Sequence, residues 1–347
     1  MRGHVKQRLD IQLEMAEHGG RCLLPGDRRD RRALYRVAKY TGDTTPRAYL
    51  REHSAPPSIV SPFLGLYMRG EYWATLDGGE LAVHILRTFA LAHSEWMFCS
   101  FSAALLYNLE VPWELAGTIH IAQEKSGRSR STKEIKRHVT PFACATRVQG
   151  VLVTGVAETV LECLCETSFE LGLAIVDSAL HQKRATKESL EEYFAIAGKG
   201  RKNIAHARAV LSYADGRAEN GGESRARAVM IEEGFAPHAL QVPFSDPFDA
   251  GHSMRGDMGW EHPDGYWIIG ELDGKGKYID PDMMNGGDVL DVLLAERQRE
   301  SRMTAYGTHI MRFPFDYVLH REKLVQLMQL FGVPHSEIPI IPGRIEG

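Results

Sequence analysis

Apolar and charged positions follow an unusual pattern in residues 267–273. The segment reads Trp-Ile-Ile-Gly-Glu-Leu-Asp, and its hydrophobic start predicts a buried β-strand. Because successive side chains of a strand point to opposite faces, Glu271 and Asp273 are expected on the face of Trp267. Two close carboxylates repel each other, and desolvating them costs several kcal/mol unless something compensates. Hard divalent cations bind carboxylate oxygens, so this pattern predicts a metal site.

A second strand and a turn precede this segment. Glu261-His-Pro-Asp-Gly265 contains the Pro and Gly that are typical of turns. A hairpin centred on Asp264 places Asp257 opposite Glu271, and opposed residues have Cβ atoms about 4.5–5.5 Å apart. We therefore expect the carboxylates of Asp257, Glu271 and Asp273 at one end of the hairpin. A register shift of one residue would separate them.

Helical periodicity adds a fourth acid. Residues 222–233 predict a helix, and Gly234 stands where a glycine would end it. Glu223 shares the inward stripe with Ala226 and Met230. A first-turn glutamate is also favoured by the helix dipole alone, but its place just before the acidic hairpin favours a role at the site.

Together these motifs resemble the PD-(D/E)XK nuclease superfamily, and most of all its very-short-patch-repair-like branch. The resemblance covers about residues 219–320 and rests on Glu223, on Gly256-Asp-Met-Gly-Trp260 and on Gly270-Glu-Leu-Asp-Gly-Lys-Gly-Lys-Tyr278. A basic helix at 295–302, followed by an arginine-bearing strand at 307–312, belongs to the same pattern. The resemblance implies a restriction-endonuclease-like α/β domain that hydrolyses phosphodiester bonds with Mg²⁺ or Mn²⁺.

Residue by residue, the resemblance implies a role for each matching position. The metal ligands are Asp257, Glu271 and Asp273, and Glu223 is an auxiliary acid. The residue two after Glu271 is Asp273 and not lysine, so the basic role falls to Lys275 or Lys277, and the sequence leaves open which. The arginines that we assign to nucleic-acid contact in this region are Arg299 and Arg302.

The amino-terminal pattern predicts short helices followed by a hairpin. Helices are expected at 1–20, 27–38 and 45–51, and residues 59–75 alternate like a hairpin that turns near Arg69-Gly70. This order suggests a winged helix, whose recognition helix enters the major groove of DNA. The alternative is an unspecialised α+β module with a solvated basic face. The arginines assigned here to nucleic-acid binding are Arg28, Arg29, Arg31, Arg32 and Arg36.

A second, less specific resemblance covers about residues 30–215. The segments 69–74, 100–109, 118–121 and 151–160 recur in that order in AbiEi-type antitoxin-like proteins. Those proteins are transcriptional autoregulators of type IV toxin–antitoxin systems, so the resemblance implies DNA binding and a cognate toxin as a possible partner. His120, in the third segment, is interpreted as a packed strand residue and not as a ligand.

Length and composition fit an α+β multidomain protein. The chain has 347 residues, of which 44% are hydrophobic, enough for several cores. We expect a helical, winged-helix-like module at 1–80, an AbiEi-like α/β region at 81–215 and a nuclease-like domain at 216–335. Residues 219–347 contain 12 basic and 21 acidic side chains, against 29 and 24 in residues 1–218. This asymmetry fits a basic amino-terminal part that contacts phosphates and an acidic carboxyl-terminal part that binds cations. The alternative is that these charges are ordinary solvated surface residues.

The five cysteines indicate a reducing compartment. They are odd in number and lack the spacing of a metal-binding or redox motif, so we interpret them as reduced thiols of a cytoplasmic protein. The sequence contains no apolar run of about 18 residues, the length that predicts a membrane-spanning helix.

Two functions compete at this point. The first is a metal-dependent DNA endonuclease. The second is a DNA-binding transcriptional regulator or antitoxin with a catalytically silent nuclease-like domain. The presence of all four acids favours activity, and the sequence leaves open whether the substrate is DNA or RNA.

Overall fold

The computed structural model describes residues 3–42, 44–123, 131–140, 145–246, 248, 253–273 and 289–336. It mixes helices with three small sheets, as the α+β prediction requires. The chain forms two compact units, Met1–Cys163 and Leu164–Gly347.

The first part of the amino-terminal unit combines helices with a three-stranded sheet in the order β1-β2-β3. Its elements are α1 (Gly3–His18), α2 (Arg28–Tyr35), β1 (Lys39–Tyr40), α3 (Pro46–Glu52), β2 (Ile59–Phe63), β3 (Leu66–Arg69), α4 (Gly70–Thr75) and α5 (Gly78–Ala92).

The predicted helices of this part are confirmed, and their caps explain where they begin. The Asp27 side chain accepts a hydrogen bond from the Asp30 backbone N–H at the start of α2. Thr45 caps α3 in the same way, with Pro46 at its first position. Each cap satisfies a backbone donor that the helix itself leaves unpaired.

The predicted position of the hairpin turn is wrong. Strands β2 and β3 are antiparallel, and Phe63 pairs with Leu66, so the chain turns at Leu64-Gly65. Gly65 has φ +83°, a conformation that glycine adopts without strain. After Gly70 the chain continues as helix α4, whose Trp73 is fully buried. The apparent alternation beyond Arg69 was therefore one face of a short helix.

The remainder of this unit is built on a five-stranded sheet in the order β6-β5-β4-β8-β7. Helix α8 passes from this unit into the next. The elements are β4 (Met97–Phe98), α6 (Ser100–Leu106), α7 (Trp113–Ala116), β5 (Ile119–Gln123), β6 (Ile135–Val139), β7 (Ala145–Val148), β8 (Val151–Thr154) and α8 (Val156–Glu166).

The carboxyl-terminal unit begins with helices and continues with a mixed four-stranded sheet in the order β12-β11-β10-β9. Its elements are α9 (Phe169–His181), α10 (Lys187–Ala197), α11 (Ile204–Ser212), α12 (Gly221–Glu232), β9 (Ala239–Ser245), β10 (Ser253–Glu261), β11 (Trp267–Asp273), α13 (Val289–Thr304), β12 (His309–Pro314), α14 (Phe315–Leu319) and α15 (Arg321–Leu330).

Residues 164–215 belong to this unit, whereas we expected a domain boundary near 215. Helix α9 packs against α12, and the two are joined by an ion pair between Asp177 and Arg227 (2.6 Å) that is almost completely buried. A second pair joins Glu170 to Arg225. Because buried charges must be paired, these contacts tie the two helices into one core.

The four-stranded sheet is covered on both faces. One face packs against α12, with Trp260 and Met230 among the buried residues. The other face contributes Ile269 to a smaller cluster that contains Met303 of α13. Strands β9, β10 and β11 form an antiparallel meander, and β12 lies parallel to β11. Of the predicted acids, Glu271 and Asp273 lie at the carboxyl end of β11, and Asp257 lies in the middle of β10, just beyond the last pair of the β10–β11 ladder.

Candidate functional site

The hairpin between β10 and β11 has the register that the sequence predicts. Met258 pairs with Gly270, and Glu261 pairs with Trp267, so the turn is centred on Asp264. Asp257 and Glu271 are the next positions in this register. The predicted position of the turn is confirmed. The backbone positions of Asp257 and Glu271 are therefore neighbours on the two strands.

Asp257 lies where the regular alternation of β10 breaks. Met254 packs on the α13 side of the sheet, whereas Met258, four residues later, packs on the α12 side. An unbroken strand would place both on the same side. On the neighbouring strand β9, Gln241 has φ +53°. The Asp257 carboxylate turns toward β11, where it accepts a hydrogen bond from the Leu272 backbone N–H (3.1 Å).

Gly256 makes this crowding possible. A Cβ at this position would come within 2.3 Å of Ile269 Cγ2, far below any contact distance between carbon atoms. Only glycine lets the backbone before Asp257 approach the β11 side chains so closely.

Glu271 is buried and held by Arg299 of α13. Its two carboxylate oxygens accept hydrogen bonds from one Arg299 terminal nitrogen at 2.9 and 2.7 Å. The other terminal nitrogen of Arg299 donates to the Arg255 backbone carbonyl (2.9 Å). Arg299, which we assigned to nucleic-acid contact, is thus an internal counter-ion in this structure.

Glu223 lies in the first turn of α12 and is 8% exposed. Its carboxylate accepts hydrogen bonds from the Glu219 backbone N–H (2.9 Å) and the Asn220 side chain. Asn220 in turn caps the helix by accepting from the Glu223 backbone N–H. We did not predict this role for Asn220 from the sequence, although an asparagine three residues before a glutamate is a signal for a helix start.

Asp257 couples the two buried glutamates electrostatically. Burial is the main cause that raises the pKa of Glu223, to about 7, and the charge of Asp257 raises it further. Burial and Asp257 also raise the pKa of Glu271, against the opposing effect of Arg299 and Arg312. Such mutual repulsion is typical of carboxylates that share a site. The fold therefore places Asp257 near both Glu223 and Glu271, and we call these three residues the acid cluster.

Asp273 is paired with Arg312 of β12. The Arg312 Nε donates to its Oδ1 at 2.9 Å, with a second contact from the guanidinium group. Arg312 is also the register partner of Glu271, so it lies between the two acids of β11. Glu271 and Asp273 therefore share one face, as predicted. The Arg312 position was noted in the resemblance, but its pairing with Asp273 was not foreseen.

Arg302, the other α13 arginine assigned to nucleic acid, is also paired. It donates to Asp246 (2.6 Å) and lies over the Phe248 ring at 5.3 Å. Lys275 and Lys277, the two candidates for the basic role, lie outside the residues that the structure describes.

The chemistry of the acids suits a divalent cation, but their carboxylate oxygens do not lie close enough together to share one. In the described ranges, every group of three His, Cys, Asp or Glu residues with ligand atoms within 4.8 Å of one another contains His138. Asp257, Glu271 and Asp273 therefore form no such group. The arginines explain this, because Arg299 and Arg312 hold Glu271 and Asp273. The donor set consists of hard carboxylate oxygens, which suits Mg²⁺ or Mn²⁺.

The five arginines assigned around α2 are all exposed. Arg31 donates to the Pro25 carbonyl (3.4 Å). The other four show no acidic partner in the described part of the chain, and they line a cleft of about 590 Å³ together with Val5, Ala33 and Val37. This surface, defined by Arg28, Arg29, Arg32 and Arg36, is called the α2 basic face below.

Comparisons with known proteins leave the function open. Two curated relatives, the uncharacterized proteins MT2308 and Rv2248 from two strains of Mycobacterium tuberculosis, are each 35% identical to this chain over 162 residues. The match covers 47% of this chain and 58% of each relative. No family model matches the chain, and no solved structure does. Among the helices of the described ranges, none has the length and apolar character needed to cross a lipid bilayer.

Proposed function

We propose that this protein is a metal-dependent DNA endonuclease of the PD-(D/E)XK type. The observation that carries the proposal is the acid cluster. The hairpin register and the start of α12 bring its three carboxylates near the point where the pairing of β10 with β11 ends. The order of elements also supports it: a helix, an antiparallel meander, a second helix and a strand parallel to the last strand of the meander.

Each residue of the cluster has a chemical task in this proposal. Asp257 and Glu271 would hold Mg²⁺ or Mn²⁺, with Asp273 as a further ligand once Arg312 releases it. When bound, the cation would lower the pKa of an attacking water and stabilise the charge on the phosphate. Glu223, with a pKa near 7, is poised to accept a proton at neutral pH. Arg299 and Arg312 would turn from the acids toward phosphate oxygens, which guanidinium groups bind well.

The experiment is a cleavage assay on supercoiled plasmid with Mg²⁺ or Mn²⁺, with chelator as the metal-free control. We expect the wild type to nick or linearise the plasmid. Asp257→Asn and Glu271→Gln should each reduce the rate by at least about 100-fold, because metal binding contributes several kcal/mol to such reactions. Asp264→Asn is the matched control, since this aspartate lies in the same hairpin but its side chain is 78% exposed. It should cleave like the wild type.

A second function is favoured by the arginine pairs. Arg299 and Arg312 occupy the acids as a bound cation would, which fits a silent nuclease-like scaffold in a DNA-binding regulator. The α2 basic face and the helix–helix–hairpin order support a winged helix that binds DNA, with a cognate toxin as a possible partner. Absence of cleavage of DNA and RNA with either metal, together with specific DNA binding, would favour this regulator over the endonuclease.

A further inference from the structure

A second set of metal-ligating side chains lies in the amino-terminal unit. Cys99, His138 and Glu162 place one ligand atom each within 4.8 Å of the others. Cys99 and Glu162 are buried, and His138 is half-buried. These residues play no part in the proposed nuclease site, and from the sequence we interpreted Cys99 as a reduced thiol.

The three residues come from different elements, which the fold brings to one face of the five-stranded sheet. Cys99 directly follows β4, and its backbone N–H donates to the His120 carbonyl on β5 (3.1 Å). Cys99 packs with Ala122 of β5, and Ala122 is the register partner of His138 on β6. Glu162 comes from α8.

His120 supports His138 from the side. His120 Nδ1 lies 2.9 Å from His138 Nε2, so one of the two nitrogens donates to the other. If His138 Nε2 is the donor, its Nδ1 carries the lone pair that a metal needs. A histidine that binds a metal commonly donates the N–H of its other ring nitrogen to an acceptor, which fixes the tautomer and the ring orientation; here His120 Nδ1 would be that acceptor.

The backbone beside Cys99 is strained. Ser100 is fully buried with φ +48°, a conformation that costs a residue other than glycine about 1–3 kcal/mol. The Ser100 N–H donates to Glu162 (2.9 Å), which fixes that carboxylate beside Cys99. The Ser100 hydroxyl has no hydrogen-bond partner within the described residues. Buried polar atoms of this kind need an explanation such as a missing ion or water, and strain of this kind occurs where the structure holds a functional geometry.

We propose that Cys99, His138 and Glu162 bind a Zn²⁺ ion in the amino-terminal unit, with His120 as a positioning residue. The mixed sulfur, nitrogen and oxygen donors suit zinc and differ from the all-oxygen acid cluster. Ligand atoms around a tetrahedral zinc ion are about 3.3–3.8 Å apart, so small side-chain rotations suffice to close the site. The ion would tie edge strand β6 to β4 and to α8.

The test uses the full chain after removal of metal with a chelator. Zn²⁺ is titrated in competition with a chromogenic chelator, and Co²⁺ is used as a spectroscopic probe, because cobalt bound to a thiolate shows a charge-transfer band in the near ultraviolet. We expect about one equivalent of tightly bound Zn²⁺ and a cobalt band that Cys99→Ser abolishes. Cys22→Ser is the matched control, since this cysteine is equally buried in the same unit but lies outside the cluster, and it should keep the band.

Two further variants keep the proposal open to refutation if Cys99→Ser misfolds. His138→Gln changes a half-buried residue of an edge strand, and it should abolish zinc binding while circular dichroism stays native. His120→Phe should weaken zinc binding by about 10- to 100-fold, the usual effect of losing a residue that orients a ligand, and it should retain the cobalt–thiolate band.

Several results would overturn the zinc site. One is a chain that binds no Zn²⁺ at micromolar concentration, and another is a cobalt band that Cys99→Ser and His138→Gln leave unchanged. A third is zinc binding that disappears in Asp257→Asn and survives in the Cys99 and His138 variants, because the acid cluster would then be the ligand. Since the two sites share no residue, this outcome is distinct from a failure of the nuclease proposal.

Discussion

The arginines of the α2 basic face and those beside the acid cluster have opposite electrostatic settings. Arg28, Arg29, Arg32 and Arg36 are exposed and show no acidic partner in the described ranges. Arg299, in contrast, binds both oxygens of a buried glutamate. From the sequence we gave both sets one role, contact with nucleic acid.

The difference shows that the sequence alone does not tell which arginines are available to bind phosphate. An unpaired, hydrated guanidinium group can meet a phosphate and release its counterions. A paired one must first leave its carboxylate, which costs the free energy of that pair. Under the proposed function, the α2 basic face would therefore be the surface of first contact with DNA. The arginines near the acids would instead respond to a bound metal ion or substrate.

Removing the most buried paired arginine should have the largest effect. Arg227→Ala leaves Asp177 uncompensated in the core, where burial already raises its pKa despite the arginine. We expect a loss of about 3–5 kcal/mol in the free energy of unfolding, measured by urea denaturation. Arg28→Ala, on the exposed face, should change it by no more than about 0.5 kcal/mol. Equal losses in the two variants would refute the distinction between paired and unpaired arginines.

The acid cluster should make stability depend on pH. Because the pKa of Glu223 rises from 4.5 to about 7 on folding, the folded state binds this proton more tightly than the unfolded chain does. The resulting stabilisation is complete below pH 4.5 and is lost as the pH rises through 7. In metal-free buffer, the free energy of unfolding should fall by about 2–3 kcal/mol over this range.

Glu223→Gln should flatten this decline, and Mg²⁺ should reduce it in the wild type by compensating the carboxylates. Glu261→Gln, at an exposed glutamate of the same hairpin, should leave the decline unchanged. A wild-type curve that is flat between pH 5 and 8 would contradict the proposed coupling of the acids.

The α2 basic face should govern the salt dependence of DNA binding. A plot of the logarithm of the DNA-binding constant against the logarithm of salt concentration has a negative slope. Replacing the four arginines by glutamine should make this slope less steep by about 3–4, because each phosphate contact contributes about 0.9. Replacing the paired Arg302 by glutamine should change the slope by less than about one. Fluorescence anisotropy with a labelled duplex at several salt concentrations measures both. An unchanged slope in the quadruple variant would show that DNA does not meet this face.

The smallest effect is expected for Arg299→Ala. Its side chain is about one-third exposed, and Arg312 still lies near the Glu271 carboxylate, so the loss in folding stability should stay near 1 kcal/mol. Removal of this internal cation should tighten Mg²⁺ binding severalfold, measured by titration calorimetry, while Arg302→Ala leaves it unchanged. Weaker Mg²⁺ binding in Arg299→Ala would mean that the arginine supports the metal site and does not compete with it.

Local patterns were enough for much of the fold. Caps such as Asp27 and Thr45, and the stop at Gly234 with its φ of +81°, lie beside the helix ends that they set. The hairpin register followed from one turn, because Pro and Gly around Asp264 leave little choice of centre. The turn near Arg69-Gly70 was misplaced because a short helix and a strand give similar patterns over a few residues.

The sequence by itself determined the helices, the acidic hairpin and the inward position of Glu223, since each depends on neighbours within a few residues. Only the tertiary structure decided which charges meet. It paired Glu271 with Arg299, 28 positions away, and it gathered Cys99, His138 and Glu162 from three separate elements. Electrostatic interactions depend on distance and burial, and both are set by how the elements pack and not by their order along the chain.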